Sequence, residues 1–159
     1  LEIELIPLNA WHLNLREKIA KEEWDKIRKQ SYSDANYRCQ ICNSDGKNQI
    51  FVTKSSLNGT LNCHEMWEYD DEKHIIRLKG FIALCNDCHM IKHLGFAEIQ
   101  SSKGLLDMDR LIKHFMDVNN VDRIIFEEHR KESSKIWAKR SNYKWKIDLG
   151  KWSSLVNSF

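Results

Sequence analysis

Cys39-Gln-Ile-Cys42, Leu61-Asn-Cys-His-Glu-Met-Trp67 and Cys85-Asn-Asp-Cys88-His89-Met-Ile-Lys-His93 are the parts of the stretch whose reading decides the fold. Two Cys-x-x-Cys knuckles bound it, separated by residues 43–84. A two-residue gap lets one tight turn present two thiolates to a single ion, and two such turns complete the tetrahedral shell that Zn²⁺ takes. Cys39, Cys42, Cys85 and Cys88 are therefore expected to hold a structural Zn²⁺ with no bound water; the plainer alternative is four buried free thiols. Cys63 is left over. Paired knuckles in a chain with no export signal favour zinc over disulfides.

His89 and His93 lie four apart, so on a helix they share one face and can hold a metal together. His64 belongs to the preceding strand pair, which can lay it against that helix. Three imidazoles around a divalent ion leave a position for water or a phosphate oxygen, the arrangement of a reactive site. Glu65 is the nearest base candidate in sequence, although period-two alternation turns it to the strand face opposite His64 unless the strand is distorted. The alternative is a solvated helix face with no ion. His64-Glu-Met-Trp-Glu68 is not the His-Glu-x-x-His protease motif, because position 68 is Glu.

Outward from this stretch, residues 1–10 alternate apolar and polar at first and suggest a short strand or an extended arm ended by Pro7. Asn9 or Asn14 is placed to cap a short helix. A longer helix is predicted over 22–36, with Trp24, Ile27, Arg28 and Ser31 on one face. Residues 50–53 read as a short strand and 55–60 as a turn. Two strands are predicted over 61–69 and 74–83, joined at an Asp70-Asp-Glu-Lys73 tip, with a bulge at Gly80. A helix over 86–94 should end at Gly95 as its C-cap. An amphipathic helix over 105–117 presents Leu106, Leu111, Ile112 and Phe115, and Asn119-Asn120 breaks it. A second, over 121–140, presents Val121, Ile124, Ile125, Glu128 and Ile136. Tyr143 to Leu149 alternates with period two, as a terminal strand does.

The fold class is thus α+β, a single domain over 1–159. Its core is 39–94, preceded by a helical arm (1–38) and followed by a helical extension ending in a strand (105–159). A charged share of 30% with few Gly or Pro describes a folded, helix-rich chain, and no apolar run is long enough to span a membrane. The chain opens at Leu1, as a trimmed or processed chain would, without a signal-peptide pattern, and a cytoplasmic location is expected. Net charge of +2 says little about a polyanionic partner, but its distribution says more. From Arg130 to Lys151 eight Lys or Arg stand against two acidic residues, with Trp137, Tyr143 and Trp145 interleaved. Lys139, Arg140, Lys144 and Lys146 are candidates for phosphate contacts and the aromatics for base stacking. Equally, the aromatic face packs on the core and the lysines are a solvated surface.

The order Cys-x-x-Cys, Leu61-x-x-His64, then Leu84-Cys-x-x-Cys-His-x-x-Lys-His93 resembles the HNH endonucleases, more narrowly the bacterial and phage proteins with a four-cysteine zinc cluster. The match covers 39–93, about a third of the chain, and the text around Trp24-Asp-Lys-Ile-Arg28 is also similar to that group. The resemblance implies a ββα-metal (HNH) core and a divalent ion (Mg²⁺, Mn²⁺, Ni²⁺ or Zn²⁺) that cuts a phosphodiester in DNA, with RNA not excluded and no oligomeric state set. By position, His64 falls on a metal ligand, Glu65 on the usual general-base His, and His89 and His93 on the terminal ligands, similar to those of nuclease colicins. A one-residue slip would make Cys63 the ligand and His64 the base. Two departures stand out: Glu occupies the base position, and the middle Asn is replaced near Gly80, where Asn62 or Asn86 would have to compensate. A nucleic-acid-binding module that has lost cleavage, or a structural zinc domain that binds protein partners, are the competing readings.

Overall fold

The computed structural model describes residues 1–47 and 61–156, so the strand expected over 50–53 and the turn over 55–60 lie outside the described residues. Five α-helices and a three-stranded sheet make up the described part. The first helix, α1 (Lys21–Asp34), begins and ends within two residues of the expected helix. It buries Trp24 and Ser31, with Ile27 and Arg28 partly covered, as the spacing requires.

Strands β1 (Asn62–Asp70) and β2 (Ile75–Leu84) form the expected antiparallel hairpin. Its register runs from Asn62 opposite Leu84 to Asp70 opposite Ile75, and it shifts between Met66 and Trp67, opposite Gly80. The bulge predicted at Gly80 is therefore present, and it lies beyond the His64-Glu65 pair. Cys63, Glu65, Trp67 and Tyr69 consequently stay on one face of β1 and His64 on the other. The terminal strand β3 is shorter than expected, Lys146–Asp148, and pairs in parallel with the start of β2.

Helix α2 (Asn86–Lys92) follows β2 directly. Gly95 does not cap it: the chain bends at His93, and α3 (Leu94–Ser102) starts at once with Gly95 inside its first turn. Apolar side chains on both sides of the bend explain the continuation, since Ile91, Leu94 and Ala97 are all buried in the helical core. Helix α4 (Met108–Asn119) is N-capped by Asp107 and ended by Asn120 in the left-handed region. Helix α5 (Arg123–Arg140) is capped by Asp122.

The buried face of α5 differs from the expectation. Ile124, Ile125 and Ile136 are exposed, while Phe126 and Ser133 are buried. Phe126 decides this by packing edge-on against Phe115 of α4, centroids 5.1 Å apart, and the stripe then continues through His129 and Ser133 at helical spacing.

Residues 1–7 form no strand. They run as an extended arm into a short 3₁₀ turn (Leu8–Ala10), with Ile3 and Pro7 buried. Hydrogen bonds to three helices fix the arm. Glu4 N donates to Lys92 O (2.9 Å), Ser133 Oγ to Ile3 O (3.3 Å), Asn119 Nδ2 to Leu1 O (3.0 Å) and Trp137 Nε1 to Ile6 O (3.0 Å). No described helix is long and apolar enough to cross a membrane.

Candidate metal centres

The first knuckle is a tight turn, with Asn43 N donating to Cys39 O and Cys39 N to Ser44 O, both at 2.9 Å. Gln40 joins it to the end of β2: its N–H donates to Ala83 O, and its side-chain oxygen accepts from Ala83 N, again at 2.9 Å. That pairing brings the first knuckle beside the second. Cys85 is the N-cap of α2, its sulfur accepting from Cys88 N at 3.4 Å. The sulfurs of Cys39, Cys42, Cys85 and Cys88 all lie within 4.8 Å of one another, Cys42 and Cys85 at 3.6 Å, and no disulfide joins them. Sulfurs bound tetrahedrally to zinc at about 2.3 Å stand roughly 3.8 Å apart, so a zinc-sized ion fits. Hydrogen bonds from the other three thiols, Cys39 foremost, push Cys42 strongly toward thiolate, the form that binds metal.

His114 was not legible in this role. It lies on α4, and its Nε2 is 3.2 Å from Cys88 Sγ. Burial lowers its basicity, but hydrogen bonding to Cys42 and the charges of Asp87, Cys42 and Cys39 together more than offset this, so the imidazole pKa is raised. A ring N–H beside a metal thiolate is the kind of outer contact that orients a ligand and spreads its charge.

The second group is His64, His89 and His93, whose ligand nitrogens also lie within 4.8 Å of one another. The hydrogen bond from His93 N to His89 O (3.1 Å) closes the last turn of α2, so the two rings stay on one side despite the bend. Ring centroids are 5.3 Å apart for His64 and His89, 4.9 Å for His64 and His93, and 4.7 Å for His89 and His93. Nitrogens on a tetrahedral ion at about 2.1 Å are roughly 3.4 Å apart, so small ring movements would complete a ligand set. Burial, with His93 and His64 nearby, holds His89 well below its usual pKa, and burial followed by His64 takes His93 down to about 4. Both are neutral at physiological pH, as metal ligands must be. Among the described residues His89 Nδ1 is buried with no hydrogen-bond partner, a polar atom that an ion would satisfy.

Glu65 does not join this group. Its two carboxylate oxygens accept from Leu15 N (3.2 Å) and Arg16 N (3.1 Å), on the opposite face of β1. Burial raises its pKa although those bonds oppose it. Cys63 faces away as well. Burial lifts its thiol to about 12, only partly offset by Ser31, so the shifted register that would make it a ligand has no support. Asn62 Nδ2 donates to Asn86 Oδ1 at 3.4 Å.

The carboxylate that does stand beside the histidines is Glu4 of the arm. Its Oε2 is 3.2 Å from His64 Nε2, and its other oxygen is bonded to Lys92 Nζ. Burial would raise Glu4, but His64 and Lys92 outweigh it and hold the carboxyl at about 2, ionised at any working pH.

At the basic end, Arg140 is committed elsewhere. Its guanidinium binds both oxygens of Asp71 (2.8 and 2.7 Å) and lies 4.1 Å above the Tyr69 ring. Trp145 is buried, with Nε1 donating to Arg140 O, and Tyr143 stacks on His74 at 4.1 Å. With Trp137 bonded to Ile6, these aromatics serve packing. Lys139, Lys144 and Lys146 are exposed.

No family model matches the chain, and no curated protein or solved structure matches it.

Proposed function

We propose that the chain is a metal-dependent endonuclease of the HNH type, hydrolysing phosphodiester bonds in DNA, on a ββα-metal core formed by β1, β2 and α2. The convergence of His64 from the hairpin with His89 and His93 from the helix carries this reading. A purely structural domain has no use for three converging imidazoles, two of them, His89 and His93, held neutral by burial, with His89 Nδ1 buried and unpartnered among the described residues. A divalent ion held there would polarise the scissile phosphate and stabilise the leaving oxygen. His89 and His93 bring no charge of their own, so they do not offset the attraction of an ion there for an anionic phosphate. The cysteine cluster serves as scaffold, fixing the start of the helix that carries two of the three ligands. Lys139, Lys144 and Lys146 supply exposed cations for backbone contacts.

The test is incubation of pure protein with plasmid DNA and Mg²⁺, Mn²⁺, Ni²⁺ or Zn²⁺, beside His64→Ala and His93→Ala. Cleavage abolished by both substitutions supports the reading; equal cleavage by variants and wild type rejects it. A second reading, a nucleic-acid-binding module that does not cut, is favoured by one observation: Glu65 is tied to the amides of Leu15 and Arg16. Retained DNA binding without cleavage in any of the four ions would select it.

A further inference from the structure

We propose that Glu4 is a positioning residue of the histidine site: its carboxylate accepts a hydrogen bond from Nε2–H of His64, holds the proton on that nitrogen and so presents the Nδ1 lone pair for an ion. This rests on the histidine-site reading above. Lys92 Nζ donates to the other oxygen of this carboxyl group, and a carboxylate so held accepts, which makes His64 Nε2 the donor across 3.2 Å. In a neutral ring the proton on Nε2 leaves Nδ1 as the acceptor, and such carboxylate–histidine pairs fix both tautomer and ring angle at metal sites.

Two features set Glu4 apart from a chance surface contact. Its second oxygen is held by Lys92, and its backbone N–H donates to Lys92 O, so one residue of α2 grips it at both ends. The arm around it is fixed independently through Leu1, Ile3 and Ile6, bonded to α4 and α5. An extended segment without regular structure is thereby locked with its one inward carboxylate against a ligand histidine. The Lys92 ammonium also balances the carboxylate charge, leaving that corner of the site neutral. Deleting the arm should therefore weaken ion binding even though it supplies no ligand.

The experiment uses full-length protein with zinc at the cysteine cluster, titrated with Co²⁺ by calorimetry. Absence of a sulfur-to-cobalt charge-transfer band verifies that the probe enters the histidine site. Glu4→Ala should weaken Co²⁺ binding by about 10–100-fold. Glu4→Gln, whose amide oxygen still accepts from Nε2, should fall between it and wild type, and exposed Glu2→Gln should match wild type. Imidazole ¹⁵N spectra of the cobalt-free protein should show the Nε2–H tautomer of His64 in wild type and its loss in Glu4→Ala. Such a tautomer change would not follow from a merely structural role. Wild-type affinity in Glu4→Ala with an unchanged His64 tautomer overturns the assignment of Glu4. Failure of the underlying reading looks different: wild type takes up no Co²⁺ at this site, or His93→Ala takes it up as well as wild type.

Discussion

Stripping zinc from the cysteine cluster should lower the melting temperature by about 8–16 °C and abolish ion uptake at the histidines. The cluster joins three pieces of chain: the turn after α1, the end of β2 and the first turn of α2. Without the ion, the hydrogen-bonded tie among the described residues from the first knuckle to the sheet is the Gln40–Ala83 pair, two bonds of about 1 kcal/mol each. An ion present at a thousandfold excess over its dissociation constant contributes about 4.1 kcal/mol, twice that sum. For a chain of this length each kcal/mol moves the melting point by roughly 2–4 °C, giving a fall of about 8–16 °C. The assay is thermal unfolding followed by circular dichroism, with metal content measured before and after chelation and Cys85→Ser as the genetic counterpart. Metal-free protein melting within about 2 °C of the loaded form would refute the reasoning.

His114→Phe removes the contact to Cys88 and should speed zinc transfer to a chelator, with affinity reduced about 10-fold; an unchanged transfer rate rejects a tuning role. Glu65→Ala leaves the amides of Leu15 and Arg16 without their acceptors and should cost about 1–3 kcal/mol in urea unfolding while Co²⁺ uptake at the histidines persists. Loss of Co²⁺ uptake in that variant would return Glu65 to the site. Burial pushes the Tyr69 hydroxyl from 10.0 up to about 12, with Arg140 opposing. The folded chain thus keeps a proton that the unfolded chain gives up, so this stability is complete below pH 10 and is lost as pH rises through 12, by up to about 2–3 kcal/mol. Tyr69→Phe should flatten the alkaline slope by that amount; parallel curves would exclude it. Lys144→Glu with Lys146→Glu should weaken DNA binding and reduce its salt dependence without changing stability, whereas Arg140→Ala should destabilise by breaking the Asp71 bridge. Binding indifferent to the lysine reversals would remove this face from the interface.

Much of the fold was legible because its signals are local. Knuckle spacing and the i, i+4 histidines depend on one turn each, and the hairpin announced itself through alternation, a polar tip and Gly80. Period-two alternation also put Glu65 opposite His64. The family resemblance assigned it to the site nonetheless, and the observed bulge comes too late along β1 to bring it round. Glu4 and His114 were out of reach for a different reason. Glu4 meets His64 across 60 positions and His114 meets Cys88 across 26, and no periodicity connects either pair. On α5 the misleading signal was apolarity itself: three isoleucines outweighed Phe126 on paper, but an aromatic pair with Phe115 set the rotation of the helix.

Both candidate metal groups depend on α2, and the dependence runs one way. Seven residues are too few for a helix to persist by its own hydrogen bonds, so outside contacts must hold α2 in shape. Its first turn carries Cys85 and Cys88, and its last carries His89 and closes on His93. A displaced cysteine cluster would let the helix start drift and carry both histidines away from His64, which stays on the hairpin. A lost histidine, in contrast, leaves the helix start, the Gln40–Ala83 tie and the arm bonded to Lys92 as they were. An ion held by the thiolates would therefore set the geometry that the histidine group inherits, and the arm residue Glu4 would finish it from the far end of the same helix.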